Sequence, residues 1–98
     1  MLLLTAFIEC ADSDRDALRA AAAMCAAETR KENGCIEYRF YEDTEQPGKF
    51  VFVERWRDQD ALSTHFASPH LGKFVAATAP LLTARSGVVY EVDAGREL

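Results

Sequence analysis

Glu54, Trp56, His65 and His70 stand within one short stretch of this 98-residue chain, and the two histidines are the only ones it has. Alternation along Phe50–Arg57 puts Glu54 on one face with Phe50, Phe52 and Trp56. A carboxylate among aromatic rings is costly to ionise, so its pKa tends upward, and a proton acceptor in an apolar pocket is what general-base work needs. The plainer role for Glu54 is a strand-end ion pair with Arg55, Arg57 or an arginine of a second chain. His65 lies three and four residues after Leu62 and Ala61, on the apolar side of a short helix. It points inward, either as a proton-handling group or as a core histidine with one backbone hydrogen bond. His70 follows Pro69 at a helix start, where the positive dipole end disfavours protonation. A neutral ring there suits a carbonyl or phenol oxygen, or a surface cap.

Around these polar groups, Phe52, Trp56, Tyr38, Phe66, Phe74 and Tyr90 either line a flat aromatic cavity or simply fill the core. No metal centre is expected, because a spacing of five between the histidines is not the four that stacks ligands on one helical face. Cys10, Cys25 and Cys35 are odd in number and form no C-x-x-C pair, which supports neither a disulfide framework nor a zinc site. Reduced thiols in a cytoplasm are the expectation. Phosphate-binding loops, nucleophile elbows and dinucleotide fingerprints do not occur.

The elements that must position these residues follow in order. Leu2–Glu9 is a strand with Leu2, Leu4, Ala6 and Ile8 on one face and Leu3 and Phe7 on the other. A helix capped by Ser13, with Asp16 as its box partner, runs to about Glu32 and stops at Asn33-Gly34. Its expected inner face is Ala17, Leu18, Ala21, Met24 and Cys25. Residues 35–43 form a half-polar strand, read as an edge, with Ile36, Tyr38 and Phe40 together. A turn over 45–48 leads to the apolar strand 50–57. A short helix from Asp58 to Phe66 follows. A second helical piece, capped by Ser68 with Pro69 at its first position, carries Leu71, Phe74, Val75 and Thr78, is disrupted at Pro80 and finishes with Leu81 and Leu82. Residues 87–92 are the last strand, and residues 94–98 a frayed tail.

This β-α-β-β-α-β order is α+β and ferredoxin-like: one domain over 1–98, with a four-stranded antiparallel sheet and helices on one face. Strands one and three are apolar on both faces, so a second copy is expected to cover the uncovered side. The net charge of −5 and pI near 4.9 argue against a nucleic-acid partner. The apolar N-terminal stretch is too short to span a bilayer and lacks a basic leader, so no membrane partner is expected.

Gly34-Cys-Ile-Glu-Tyr38, Phe50-Val-Phe-Val-Glu-Arg-Trp56, Ala61-Leu-Ser-Thr-His65 and Ser68-Pro-His70 together resemble the antibiotic biosynthesis monooxygenase family, especially its short quinol-monooxygenase-like members. The resemblance spans nearly the whole chain. It implies a dimeric ferredoxin-like α/β-barrel that oxygenates electron-rich phenols, anthrones or quinols with no cofactor, metal or flavin. It assigns Glu54 or His65 as base or orienter, His70 as a hydrogen-bond donor to a ring oxygen, and Trp56 and Phe52 as a stacking wall. A haem-degrading branch of the fold needs a histidine late in the last long helix, where this chain has Val75. Two other functions use the same groups: an isomerase or tautomerase that shuttles protons, and a non-catalytic small-molecule-binding dimer.

Overall fold

A computed structural model describes all 98 residues. Its strands are β1 (Leu2–Cys10), β2 (Cys35–Glu42), β3 (Lys49–Trp56) and β4 (Leu82–Glu91), and its helices α1 (Arg15–Thr29), α2 (Gln59–Phe66) and α3 (Pro69–Thr78). All pairings are antiparallel in the order β2-β3-β1-β4, so the half-polar β2 is an edge, as its pattern predicts. The architecture is the ferredoxin-like α+β sandwich, its second helix broken in two.

One face of the sheet carries the core. Leu2, Leu4, Ile8, Cys10, Phe50, Phe52, Glu54 and Trp56 alternate inward along β1 and β3. They meet Leu18, Ala22, Cys25 and Ala26 of α1, Leu62 of α2 and Phe74 of α3. The small residues of α1 let its axis lie close to the sheet. The aromatic layer is continuous: Phe40 stacks on Phe50 at 5.0 Å, and Phe52 meets Phe40 at 4.5 Å, Tyr38 at 5.3 Å and Phe74 at 5.5 Å. Bidentate Arg15 and the neighbouring Arg19 both grip Glu42, which ties the start of α1 to the end of β2.

Several local expectations are corrected. Ser13 does not cap α1; a 3-10 turn over Asp12–Asp14 leads into the helix, without a side-chain cap. The buried stripe of α1 is Leu18, Ala22, Cys25, Ala26 and Thr29, while Met24 is 75% exposed. Alanines on every side give this helix little polar contrast, so periodicity places its inner face poorly. The α1 helix stops at Thr29, and Lys31 and Glu32 continue as tighter turns, donating to the carbonyls of Glu28 and Thr29. In β2 the register slips between Cys35 and Glu37, so Ile36 is skipped by the ladder and faces solvent rather than joining Tyr38. Leu82 opens β4 instead of ending α3, which stops at Thr78. Val75 is largely exposed, while Phe74 and Thr78 make the buried side of α3.

Ser68 caps α3 as expected, and Asp58 adds a side-chain cap at the start of α2. Asp58 accepts from the Ala61 N–H at 2.9 Å to start α2. Ser68, with Pro69 at the first helical position, caps α3 and donates its hydroxyl to the His65 carbonyl.

Candidate functional site

The polar residues singled out in the sequence lie at the junction of β3, α2 and α3. Glu54 is 4% exposed, on β3, with Trp56 two residues on along the same face. The Trp56 indole N–H donates to Glu54 Oε1 at 2.9 Å. Burial pushes the Glu54 carboxyl up to about 7; the indole bond opposes this rise and the negative charge of Glu32 adds to it. Glu54 therefore holds a proton far more readily at neutral pH than an exposed carboxyl does, which suits proton transfer.

His65 reaches the same place from α2. It is 1% exposed, tilted against the Trp56 ring at 4.7 Å and edge-on to Tyr38 at 5.4 Å. Its Nδ1 lies 2.6 Å from Glu32 Oε2. Burial lowers its pKa, against the pull of Glu32, so the ring is held neutral at pH 7. His70 arrives from α3 and sets Nε2 2.9 Å from the same Glu32 oxygen. A break after α2 turns the second histidine onto another helix, so the two imidazoles converge although their spacing is five.

Glu32 was not a candidate from the sequence. It reads there as the polar end of a helix, and only the Asn33-Gly34 pair behind it hints at a tight turn. In the structure that turn is anchored twice: Cys35 N–H donates to the Glu32 carbonyl and Arg57 N–H to the Gly34 carbonyl. Gly34 takes no positive φ. The glycine is needed because a methyl group there would overlap the Ala61 side chain. Close approach to α2 brings the Glu32 carboxylate under His65.

Glu32, His65 and His70 are also the one grouping able to offer three metal ligands, with donor atoms within 4.8 Å of one another. Donors sharing an ion at about 2.0–2.1 Å in tetrahedral geometry sit roughly 3.3 Å apart. The 2.6 Å contact of Glu32 with His65 is shorter than that and lies just under the roughly 2.7–2.9 Å of a charge-assisted N–H···O bond, so it is a short hydrogen bond.

An apolar cavity of about 480 Å³ opens between this cluster, β1, β4 and α3. That volume is within the range of small-molecule sites. Tyr38, Phe52, Phe66 and Phe74 line it, as do Glu54 and His65. Arg85 lies toward the other end, opposite Ile8 on β4, while Glu54 is opposite Leu4. The Tyr38 hydroxyl is kept protonated by burial and lies 3.8 Å from Cys25 Sγ. Three expected site residues do not line this cavity. Trp56 is fully buried behind Glu54, so it supports the carboxylate and offers no stacking surface. Tyr90 pairs with Leu3 and lies on the opposite face of the sheet. His70 sits behind Glu32, bordering a groove between α1 and α3.

The chain belongs to the antibiotic biosynthesis monooxygenase family, whose model matches residues 1–77. It is 30% identical over 89 residues to the Bacillus subtilis protein YcnE, provisionally named a monooxygenase, covering 91% of this chain and 94% of that one. It is 38% identical over 65 residues to the Synechocystis protein sll1783, and this match spans 65% of the chain but only 44% of that relative. A crystal structure from Deinococcus radiodurans, provisionally assigned as an antibiotic biosynthesis monooxygenase, superposes with a TM-score of 0.93 at 28% identity and covers 100% of this chain and 98% of its own. These relatives support a monooxygenase-like protein. No helix is long and apolar enough to cross a membrane.

Proposed function

We propose that the protein is a cofactor-independent monooxygenase that oxidises an electron-rich quinol, phenol or polycyclic aromatic with dioxygen, and that it works as a homodimer. The observation that carries this reading is the pairing of two proton-handling groups, Glu54 and His65, on the wall of one aromatic-lined cavity. Each keeps one polar atom that is not spent on a protein partner. Glu54 Oε1 is bonded to Trp56 and His65 Nδ1 to Glu32, yet the only sealed, unpartnered side-chain polar atom is Glu32 Oε1. The second oxygen of Glu54 and Nε2 of His65 are thus left for the cavity.

A hydroxylated ring that loses its proton becomes electron-rich enough to pass electrons to dioxygen unaided. The protein then has to bind the ring, take the proton and exclude bulk water. His65, neutral at pH 7, takes the phenolic or enolic proton. The resulting carbanion-like carbon bonds to one oxygen of dioxygen. His65 returns its proton to the peroxide, then takes the remaining C–H proton as the O–O bond breaks, and Glu54 protonates the departing hydroxide, which leaves a new carbonyl and water. For an activated CH₂ the balance is CH₂ + O₂ → C=O + H₂O, with the four electrons coming from the substrate carbon. Tyr38, Phe52, Phe66 and Phe74 hold the ring.

Oxygen uptake with menadiol-like and anthrone substrates, above the spontaneous rate, tests the reading. Solvent-deuterium incorporation without oxygen consumption would instead assign the site to an isomerase or tautomerase, and binding with neither would make it a ligand-holding module. The dimer rests on the apolar far face of the sheet, where Phe7, Tyr41, Val88 and Tyr90 are about half exposed. In a sheet with helices on one side, a second sheet is the partner that covers such a face.

A further inference from the structure

We infer that Glu32 is a positioning residue that locks His65 in its Nδ1–H form, leaving the Nε2 lone pair facing the substrate cavity. This rests on the reading of His65 as the proton acceptor, although the lock itself stands on geometry alone. Glu32 Oε2 lies 2.6 Å from His65 Nδ1 and 2.9 Å from His70 Nε2. A carboxylate oxygen accepts and does not donate, so both contacts need a ring N–H directed at it. His65 must therefore carry its proton on Nδ1 and His70 on Nε2. Free imidazole side chains in water favour the Nε2–H form, so this is an imposed tautomer. The His65 ring keeps no other hydrogen bond, lines the cavity, and packs against the Trp56 and Tyr38 rings. The lone pair is thus aimed by packing as well as by tautomer.

His70 has a matching part. It does not line the cavity, and its Nε2–H occupies a second lone pair of the Glu32 oxygen. That bond holds the carboxylate in place against the pull of solvent on one side. When His65 accepts a proton from substrate, the imidazolium forms 2.6 Å from the Glu32 carboxylate and is stabilised there. The arrangement is that of a carboxylate–histidine pair supporting a base. It assembles from three separate pieces of chain: the turn after α1, the end of α2 and the start of α3.

Two-bond ¹⁵N–¹H spectra of the histidine rings in the full-length protein test the lock without any substrate. With the wild type at pH 7, His65 is expected to show a protonated Nδ1 and a bare Nε2, with a downfield Nδ1 proton. Glu32→Leu should move His65 to the Nε2–H form or a mixture. Glu32→Gln, which keeps shape and loses charge, should shift the Nδ1 proton upfield even if the leucine variant folds poorly. A wild-type His65 in the Nε2–H form, or spectra unchanged in Glu32→Gln, would overturn the inference. If oxygen uptake is found, Glu32→Gln should lower kcat roughly 10²-fold or more with KM little changed. An equal loss in KM alone would also count against it. Absence of oxygen uptake in the wild type would refute the oxygenase reading and leave the spectroscopic result to decide the lock.

Discussion

At the scale of single residues, the site depends on burying a carboxyl without fully neutralising it. Glu54 has a folded pKa near 7 against an ordinary value of 4.5. The sign follows from linkage: its contribution to stability is fully present below about pH 4.5 and is lost as pH rises through about 7. The shift corresponds to about 3 kcal/mol. Glu54→Gln should therefore match the wild type near pH 4.5 and exceed it by up to about 3 kcal/mol at pH 8.5, measured by urea unfolding at both pH values. Equal stability offsets at the two pH values would show that Glu54 is not desolvated as described. Trp56 is the carboxylate's only side-chain donor. Trp56→Phe should raise the Glu54 pKa further and cost about 1–3 kcal/mol at pH 8.5, where the carboxylate loses its partner.

At the scale of elements, the site exists because a turn, a strand end and two short helices meet. Gly34 lets the turn after α1 press on Ala61 of α2, and His65 lies one helical turn further along that helix. Gly34→Ala should push α2 away, loosen the Glu32–His65 bond and cost about 1–3 kcal/mol, read as a lowered Tm together with loss of the downfield His65 proton. Much of this level was legible beforehand. Strand alternation put Glu54 with Phe52 and Trp56, and the Asp58 and Ser68-Pro69 signals placed both short helices. What escaped was geometry with no period. The bulge that expels Ile36 has no marker in the sequence. The unwinding that turns Glu32 inward is a tertiary effect of the contact with α2. Residue type alone groups Trp56 and Tyr90 with the cavity, whereas the sheet register puts one behind Glu54 and the other on the far face.

At the scale of the whole molecule, the helices cover one face of the sheet only. The other bears half-exposed Phe7, Tyr41, Val88 and Tyr90, and β4 is exposed along nearly its whole length. A second copy laid on this face would bury that apolar surface and cover β4, which also walls the cavity. Phe7→Glu places a charge at this face. It should convert a dimer to a monomer by light scattering at micromolar concentration, with the helix-side core intact by near-ultraviolet circular dichroism. A wild-type monomer at that concentration would refute the dimer.

In the proposed reaction Glu54 and His65, facing one aromatic cavity, remove a substrate proton and let dioxygen react. Oxygen consumption with a menadiol-like or anthrone substrate at pH 7.5, corrected for the spontaneous rate, tests it most directly when the wild type is compared with Glu54→Gln and His65→Ala. Enzyme-dependent uptake should fall roughly 10²-fold or more in His65→Ala and should also drop in Glu54→Gln. Uptake that is unchanged in both variants would contradict it.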